Sequence, residues 1–127
     1  LGNSWILARE SDKAEPSLEK AAELSTEGDL YVRLGQVRLL KEAWDSAIAA
    51  LKRGLAKGGI DDPGQAEQLI GIAYYNEGKL GEARTWFAKS RRSEKARPAS
   101  DAWLKHIEEE LQKQNGDSTG PAGSVGL

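Results

Sequence analysis

Cysteine is absent from the 127-residue chain, and so is methionine. Without a thiol, the chain forms no disulfide, offers no thiolate ligand to zinc or an iron–sulfur cluster, and has no cysteine nucleophile. The chain has a single histidine, His106, so only this residue could serve as the base of a nucleophile–histidine–acid triad. Because the chain starts at Leu1 and lacks methionine, we expect a processed chain or a fragment of a longer protein.

Long apolar runs and a charge surplus of one sign are also lacking. No run approaches the roughly 18 apolar residues of a transmembrane helix, and Leu1 to Ala8 lack the basic start of a signal peptide. The chain has 18 Lys and Arg against 20 Asp and Glu, for a net charge of −2. Proteins that bind nucleic acid or an acidic membrane usually carry more basic than acidic residues. We therefore expect a soluble chain that neither binds nucleic acid nor inserts into a membrane.

Motifs for metal, phosphate and catalysis are missing as well. Residues 108–110 are three contiguous glutamates, whose side chains fan around a helix and cannot converge on one ion. The pair Gly58-Gly59 lacks the following Lys-Ser/Thr of a phosphate-binding loop. We expect His106 on the exposed side of a helix. These observations predict no enzyme activity, no metal site and no cofactor.

Glycine is frequent, with 14 residues, and three glycines mark an internal repeat. Each follows a large apolar residue, in Leu1-Gly2, Leu34-Gly35 and Ile70-Gly71. At fixed offsets after these glycines stand the alanines Ala14, Ala47 and Ala83, and then the large residues Leu18, Leu51 and Phe87. A glycine inside a helix costs about 1 kcal/mol relative to alanine. We therefore expect each glycine to be the point where two helices cross closely.

This pattern resembles the tetratricopeptide repeat, a helix–turn–helix unit of about 34 residues. The best match lies in residues 64–97, with Ile70-Gly71, Tyr74, Gly78, Ala83, Phe87 and Ser90 at the signature positions. Arg38 and Glu67 depart from the pattern, which has aromatic or large residues there, and the proline that ends each unit is missing. The resemblance implies an all-α helix–turn–helix solenoid of about three units, at 1–27, 28–62 and 63–97.

A final helix is expected over residues 99–114. Pro98 interrupts the preceding helix, and Trp103, Leu104, Ile107 and Leu111 then recur on one side of the next. Such a helix would cap the last unit with its apolar side and complete a repeat domain over 1–114. Residues 115–127 contain four glycines and a proline, so we expect a disordered tail.

A run of five cations lies before the final helix, at Lys89, Arg91, Arg92, Lys95 and Arg97. Cations near a helix C-terminus interact favourably with the helix dipole, and we expect these to pair with residues 108–110. A docking surface for an acidic partner stays open as an alternative. Nucleic acid is disfavoured, because no aromatic residues interleave with the run.

The resemblance implies a protein–protein interaction scaffold whose first helices line a concave groove for a peptide or protein partner. The positions that would face this partner are Val32, Gln36, Leu39, Gln65, Gln68, Ile72, Tyr75 and Asn76. The amides would bind the partner's backbone, and Ile72 and Tyr75 would supply apolar contact. Val32 and Gln36 replace the Lys and Asn with which similar repeats clamp a chaperone's C-terminal carboxylate, which disfavours that ligand.

Two alternatives stay open. The same side chains could pack against the capping helix or a neighbouring repeat. The chain could also be a structural or regulatory segment that packs against an upstream domain of a larger protein.

A narrower resemblance is carried by residues 8–14, 55–59 and 71–76. These segments are similar to the C-terminal part of bacterial repeat proteins that accompany TonB-type energy-transducing systems. The similarity implies a bacterial cell-envelope complex and favours the periplasm over the cytoplasm.

Overall fold

A computed structural model describes the backbone of residues 15–125 and the side chains of residues 15–114. Its helices are α1 (residues 15–24), α2 (Asp29–Leu40), α3 (Trp44–Lys57), α4 (Pro63–Asn76), α5 (Leu80–Ser90) and α6 (Arg97–Val125). No strand occurs between residues 15 and 125, so the all-α prediction is confirmed for this part of the chain. Gly2 and Ala14, which belong to the first predicted unit, lie outside the described residues.

Each helix from α2 onward packs mainly on the next one in the sequence, and α2 also touches α4. Contacts between sequence neighbours are typical of helix pairs that stack one after another. The pairs α2–α3 and α4–α5 correspond to each other position by position, because Gly35 and Gly71, and likewise Leu51 and Phe87, occupy equivalent places. The described part of the chain is therefore all-α and repeat-like.

The two glycines lie where the helices of each pair cross. A Cβ atom added to Gly35 would lie 2.5 Å from Cγ of Leu51 and 3.3 Å from the carbonyl oxygen of Ala47. A Cβ atom on Gly71 would lie 3.0 Å from the ring of Phe87. Leu51 and Phe87 are fully buried. The predicted close crossing is therefore confirmed in both described units.

A second close approach occurs where each first helix begins. The backbone of Gly28 lies directly against Gly54, and the Gly28 N–H donates a hydrogen bond of 2.8 Å to the carbonyl oxygen of Gly58. In the next pair, Gly64 lies in the same way against Ser90 and Ser93. In each pair the two helices thus approach closely at two points along their length, and a glycine in the first helix, or just before it, lies at each point.

Arg38, which departs from the repeat pattern, holds α2 to α1. Its Nε lies 2.8 Å from Oε1 of Glu15, and Nζ of Lys41 lies 2.6 Å from Oε2 of the same carboxylate. Hydrogen bonds from Lys41 and Arg38 lower the pKa of Glu15. Tyr74 stands at the equivalent position of α4, so this position carries an ionic link in one helix pair and an aromatic ring in the other.

The C-terminal end of α1 is capped by a lysine from α3. Nζ of Lys57 donates to the carbonyl oxygens of Ala22 at 2.8 Å, Glu23 at 3.1 Å and Ser25 at 2.5 Å. Carbonyls at the end of a helix lack partners within it, and a cation there also interacts favourably with the helix dipole. Lys57 thus joins α1 to the α2–α3 pair.

The last helix packs its apolar side on the preceding pair. Ile107 is fully buried in one cluster with Leu80, Ala83 and Phe87, and Trp103 packs against that cluster. The helix begins two residues earlier than expected, at Arg97, because proline is tolerated in the first turn of a helix.

The structure differs from the prediction beyond residue 114. It continues α6 to Val125, where the composition predicts a disordered tail over 115–127. Residues 126 and 127 lie outside the described part.

The turns between paired helices also correspond. Glu42 precedes α3 with a φ of 60°, and Gly78 precedes α5 with a φ of 81°. A left-handed conformation is unfavourable for residues with a Cβ atom, whereas glycine adopts it readily. The backbone is therefore strained at Glu42, whereas Gly78 adopts the equivalent conformation in the next turn without strain.

Replacing Gly71 with leucine should destabilise the fold by about 2–3 kcal/mol, because the added side chain meets the buried ring of Phe87. Urea unfolding followed by circular dichroism measures the loss. Gly81→Ala is the matched control, since a Cβ atom on Gly81 meets nothing within 4 Å. Equal midpoints for the two variants would contradict the close crossing.

Replacing Glu42 with glycine should stabilise the fold by about 1 kcal/mol, because glycine relieves the left-handed strain. Gly78→Ala introduces the same strain and should cost about the same amount. Thermal unfolding of both variants tests this pair of opposite shifts. A loss of stability in Glu42→Gly would show that the turn is not strained.

Candidate functional site

An open groove of about 530 Å³ lies between α2, α4 and the loop that precedes α4. Val32 and Leu69 line it, and both are half-buried because they also pack against the apolar cluster of Ile48, Leu51 and Ile70. The groove, which we call the α2–α4 groove, therefore has an apolar floor that belongs to the core of the stacked helices.

Three carboxamides surround this floor. Gln36 from α2 and Gln65 from α4 are exposed, and Gln68 from α4 is half-buried. Within residues 15–114 none of the three side chains makes a hydrogen bond. Each offers both a donor and an acceptor, which is the pair of groups that a peptide backbone presents. The groove can thus hydrogen-bond a ligand without first breaking bonds of its own.

Charges of both signs line the same groove. Asp29, Arg33, Asp61 and Lys95 line it, and none of them makes an ion pair with another described residue. Asp62 differs, because its Oδ2 accepts a hydrogen bond of 2.8 Å from the hydroxyl of Ser93. Sequence spacing did not predict that Asp29, Arg33 and Asp61 face a partner. They line the groove only because the loop before α4 lies beside α2.

Four of the eight predicted partner-facing residues line the α2–α4 groove, namely Val32, Gln36, Gln65 and Gln68. Leu39 instead packs partly against the cluster of Ile48 and Leu51. Asn76 donates a hydrogen bond of 2.8 Å from Nδ2 to the carbonyl oxygen of Ile72, within its own helix. The structure therefore does not bring Leu39 or Asn76 to the groove.

Ile72 and Tyr75 are also directed elsewhere, to the contact between α4 and α6. Both pack against the cluster of Phe87 and Ile107, and the ring of Tyr75 lies 4.9 Å from that of Trp103 in an edge-on arrangement. For these two residues the structure agrees with the alternative stated above, in which predicted partner-facing side chains pack against the final helix.

A polar network completes this contact. The Tyr75 hydroxyl donates to Oε1 of Glu110 at 2.7 Å and lies 2.7 Å from Nε2 of His106. Nε2 of His106 is also 3.1 Å from the same carboxylate oxygen. The hydrogen bond to Glu110 raises the pKa of the Tyr75 hydroxyl. His106 is exposed, as predicted, but its ring helps to hold α6 in place.

Glu67 is buried at the position that Tyr31 occupies in α2. Arg92 binds it in a two-pronged arrangement, with Nε and Nη2 each 3.0 Å from a carboxylate oxygen. Such paired hydrogen bonds are stronger than single neutral ones. The second departure from the repeat pattern is therefore an ion pair that replaces an aromatic side chain.

The cation run before α6 does not pair as expected. Arg92 binds Glu67, and Arg91 lies 2.6 Å from Oδ1 of Asp101. Glu108 instead binds Arg84 of α5, at 2.8 Å. The expected pairing of the run with residues 108–110 is therefore wrong for these two arginines, because the packing of α5 and α6 brings other acids closer.

Glu77, at the end of α4, carries an unfavourable charge. Its Oε1 is buried without a hydrogen-bond partner in the described part of the chain, although Nζ of Lys79 lies 3.8 Å away. A hydrogen bond with the carboxyl group of Asp45 favours the protonated form, so the pKa of Glu77 is raised. Two neighbouring helix pairs thus bring two acids together.

Replacing Glu77 with glutamine should raise the melting temperature at pH 7. A raised folded-state pKa means that stability is full below the unfolded pKa and falls as pH rises through the folded value. Glutamine removes that loss, so the gain should vanish below about pH 4. Melting curves over a pH series measure it. A gain that is independent of pH would exclude the carboxylate pair as its cause.

Among the described residues, no group of three His, Asp or Glu side chains is placed to hold a metal ion. Residues 15–125 also contain no apolar helix of bilayer-spanning length. Neither protein-family models nor curated proteins give a match to the chain. Function is therefore inferred from the α2–α4 groove and the helix pairs that form it.

Proposed function

We propose that the chain is a tetratricopeptide-like interaction module that binds a partner peptide or protein in the α2–α4 groove. The observation that carries the proposal is the set of unbonded carboxamides of Gln36, Gln65 and Gln68 beside an apolar floor. A site built for catalysis would instead bring together a nucleophile, a base and a group that orients it.

The repeat pattern supports this assignment. In both described pairs a glycine of the first helix meets a large buried residue of the second, Leu51 in one pair and Phe87 in the other. The tetratricopeptide repeat has small residues at this crossing, and stacked pairs of this kind present their first helices on one concave side. The first helices here are α2 and α4, which both line the groove.

The chemistry of the groove favours an extended segment. An extended chain advances about 3.3 Å per residue and presents unpaired N–H and C=O groups along its length. The carboxamides of Gln36 and Gln68 can bind such groups, and Val32 and Leu69 can contact apolar side chains. Because the groove is already formed, binding does not require the module to be ordered first.

The charged residues would then select the partner's sequence. Arg33 and Lys95 attract acidic side chains, whereas Asp29 and Asp61 attract basic ones. Complementary charges contribute more to specificity and association rate than to affinity. A partner of mixed charge, in a bacterial cell-envelope complex as the narrower resemblance implies, fits this arrangement.

A second candidate function is a structural segment that packs against another domain. Two large apolar side chains favour it, because they are exposed and another domain could cover them. Leu24 is 79% exposed and Leu40 is 62% exposed. Under this alternative the covered surface would include Leu24 and Leu40, and the groove would be left open.

Replacing both Gln36 and Gln68 with alanine should weaken binding of a partner captured by the full chain about tenfold, since each lost hydrogen bond contributes about 0.5–1.5 kcal/mol. The melting temperature should stay the same, because neither side chain is bonded within the described chain. Calorimetric titration with the purified partner measures the change.

The matched control is Gln112→Ala, which removes an exposed carboxamide from α6. It should leave affinity unchanged. Equal binding by the double variant and the unaltered chain would contradict the groove proposal. A loss of binding only when Leu24 and Leu40 are replaced with serine would favour the structural alternative.

A further inference from the structure

A second surface, which shares no residue with the lining of the α2–α4 groove, is formed by α3, α5 and the end of α4. Lys52 of α3 and Lys89 of α5 converge on the ring of Trp86, with Nζ atoms 5.5 and 4.2 Å from its centroid. Nζ of Lys52 also donates a hydrogen bond of 2.9 Å to the hydroxyl of Tyr74. We call these four residues the Trp86 patch.

The aromatic part of the patch is fixed by the core. Trp86 and Tyr74 are half-buried and pack against the cluster of Ile48 and Ile70, whereas Lys52 and Lys89 are exposed. The face of an aromatic ring attracts a cation within about 6 Å of its centroid. Trp86 therefore holds two ammonium groups in defined places that flexible lysine side chains would not otherwise keep.

The positive charge of the patch is not neutralised. Neither Lys52 nor Lys89 makes an ion pair with a described residue, and Glu82, one helical turn before Trp86, makes none with either lysine. A ring quadrupole attracts a cation but carries no net charge. Both ammonium groups thus lie within 5.5 Å of the centre of the Trp86 ring, and neither has a carboxylate partner among the described residues.

We propose that the Trp86 patch binds an acidic peptide segment, whose carboxylates pair with the ammonium groups of Lys52 and Lys89. An aspartate or glutamate of the partner would accept a charge-assisted hydrogen bond from each ammonium group, which has no ionic partner in the described chain. The exposed part of the half-buried Trp86 side chain would contact apolar carbons of the same peptide. The site is independent of the α2–α4 groove and gives the module a second point of contact.

Single-stranded nucleic acid fits the patch less well. Proteins that bind it stack bases on exposed aromatic faces inside a groove with many cations. Here Trp86 is half-buried with only two cations beside it, and the chain as a whole carries a net charge of −2. A short acidic peptide needs only the two ammonium groups.

The test is fluorescence anisotropy of a labelled oligo-aspartate peptide added to the full chain. The double variant Lys52→Ala with Lys89→Ala should bind it about tenfold more weakly, and the affinity of the unaltered chain should fall as salt is raised. Lys52→Arg with Lys89→Arg should retain binding. The matched control is Lys20→Ala with Lys113→Ala, which removes the same charge from exposed positions on α1 and α6.

Equal weakening in the control would overturn the proposal, because net charge alone would then explain binding. Tighter binding of oligo-thymidylate than of oligo-aspartate would overturn it in favour of nucleic acid, and no binding of oligo-aspartate would also overturn it. Gln36→Ala with Gln68→Ala should leave oligo-aspartate binding unchanged. Failure of the groove proposal and failure of this one are therefore distinguishable.

Discussion

The structure depends on one contact, repeated in each described helix pair, between a glycine of the first helix and a large buried side chain of the second. Gly35 lies under Leu51, and Gly71 lies under Phe87. The missing side chain lets the two helix axes approach, so that Leu51 and Phe87 are fully enclosed. Because both pairs share this geometry, they stack in the same way and leave α2 and α4 side by side. The groove is a consequence of that stacking.

The fourth helix shows how one element serves two purposes. Gln65 and Gln68, in its first half, line the groove, whereas Ile72 and Tyr75, in its second half, hold α6. The network of Tyr75, His106 and Glu110 would be broken by any movement of α6 away from α4. One end of the helix is thus open to a ligand, and the other end stabilises the last turn of the stack.

The helices and their pairing were predictable because glycine register and apolar spacing are local signals. Half of the predicted partner-facing residues line the groove, since position on a helix face follows from sequence spacing. The ion pair of Glu67 with Arg92 was not predictable, because it joins side chains 25 residues apart through the packing of two helices. The approach of Lys52 to Trp86 was not predictable for the same reason, because the two residues lie on different helices.

The most direct test of the account is a double-mutant cycle of Gly71→Ala with Phe87→Val, measured by urea unfolding. If the ring of Phe87 is what leaves no room for a side chain at Gly71, a smaller residue at position 87 makes room for the added methyl group. The double variant should then be more stable than the sum of the single losses predicts, by about 1 kcal/mol or more. Strictly additive losses would contradict the contact on which the fold and its groove depend.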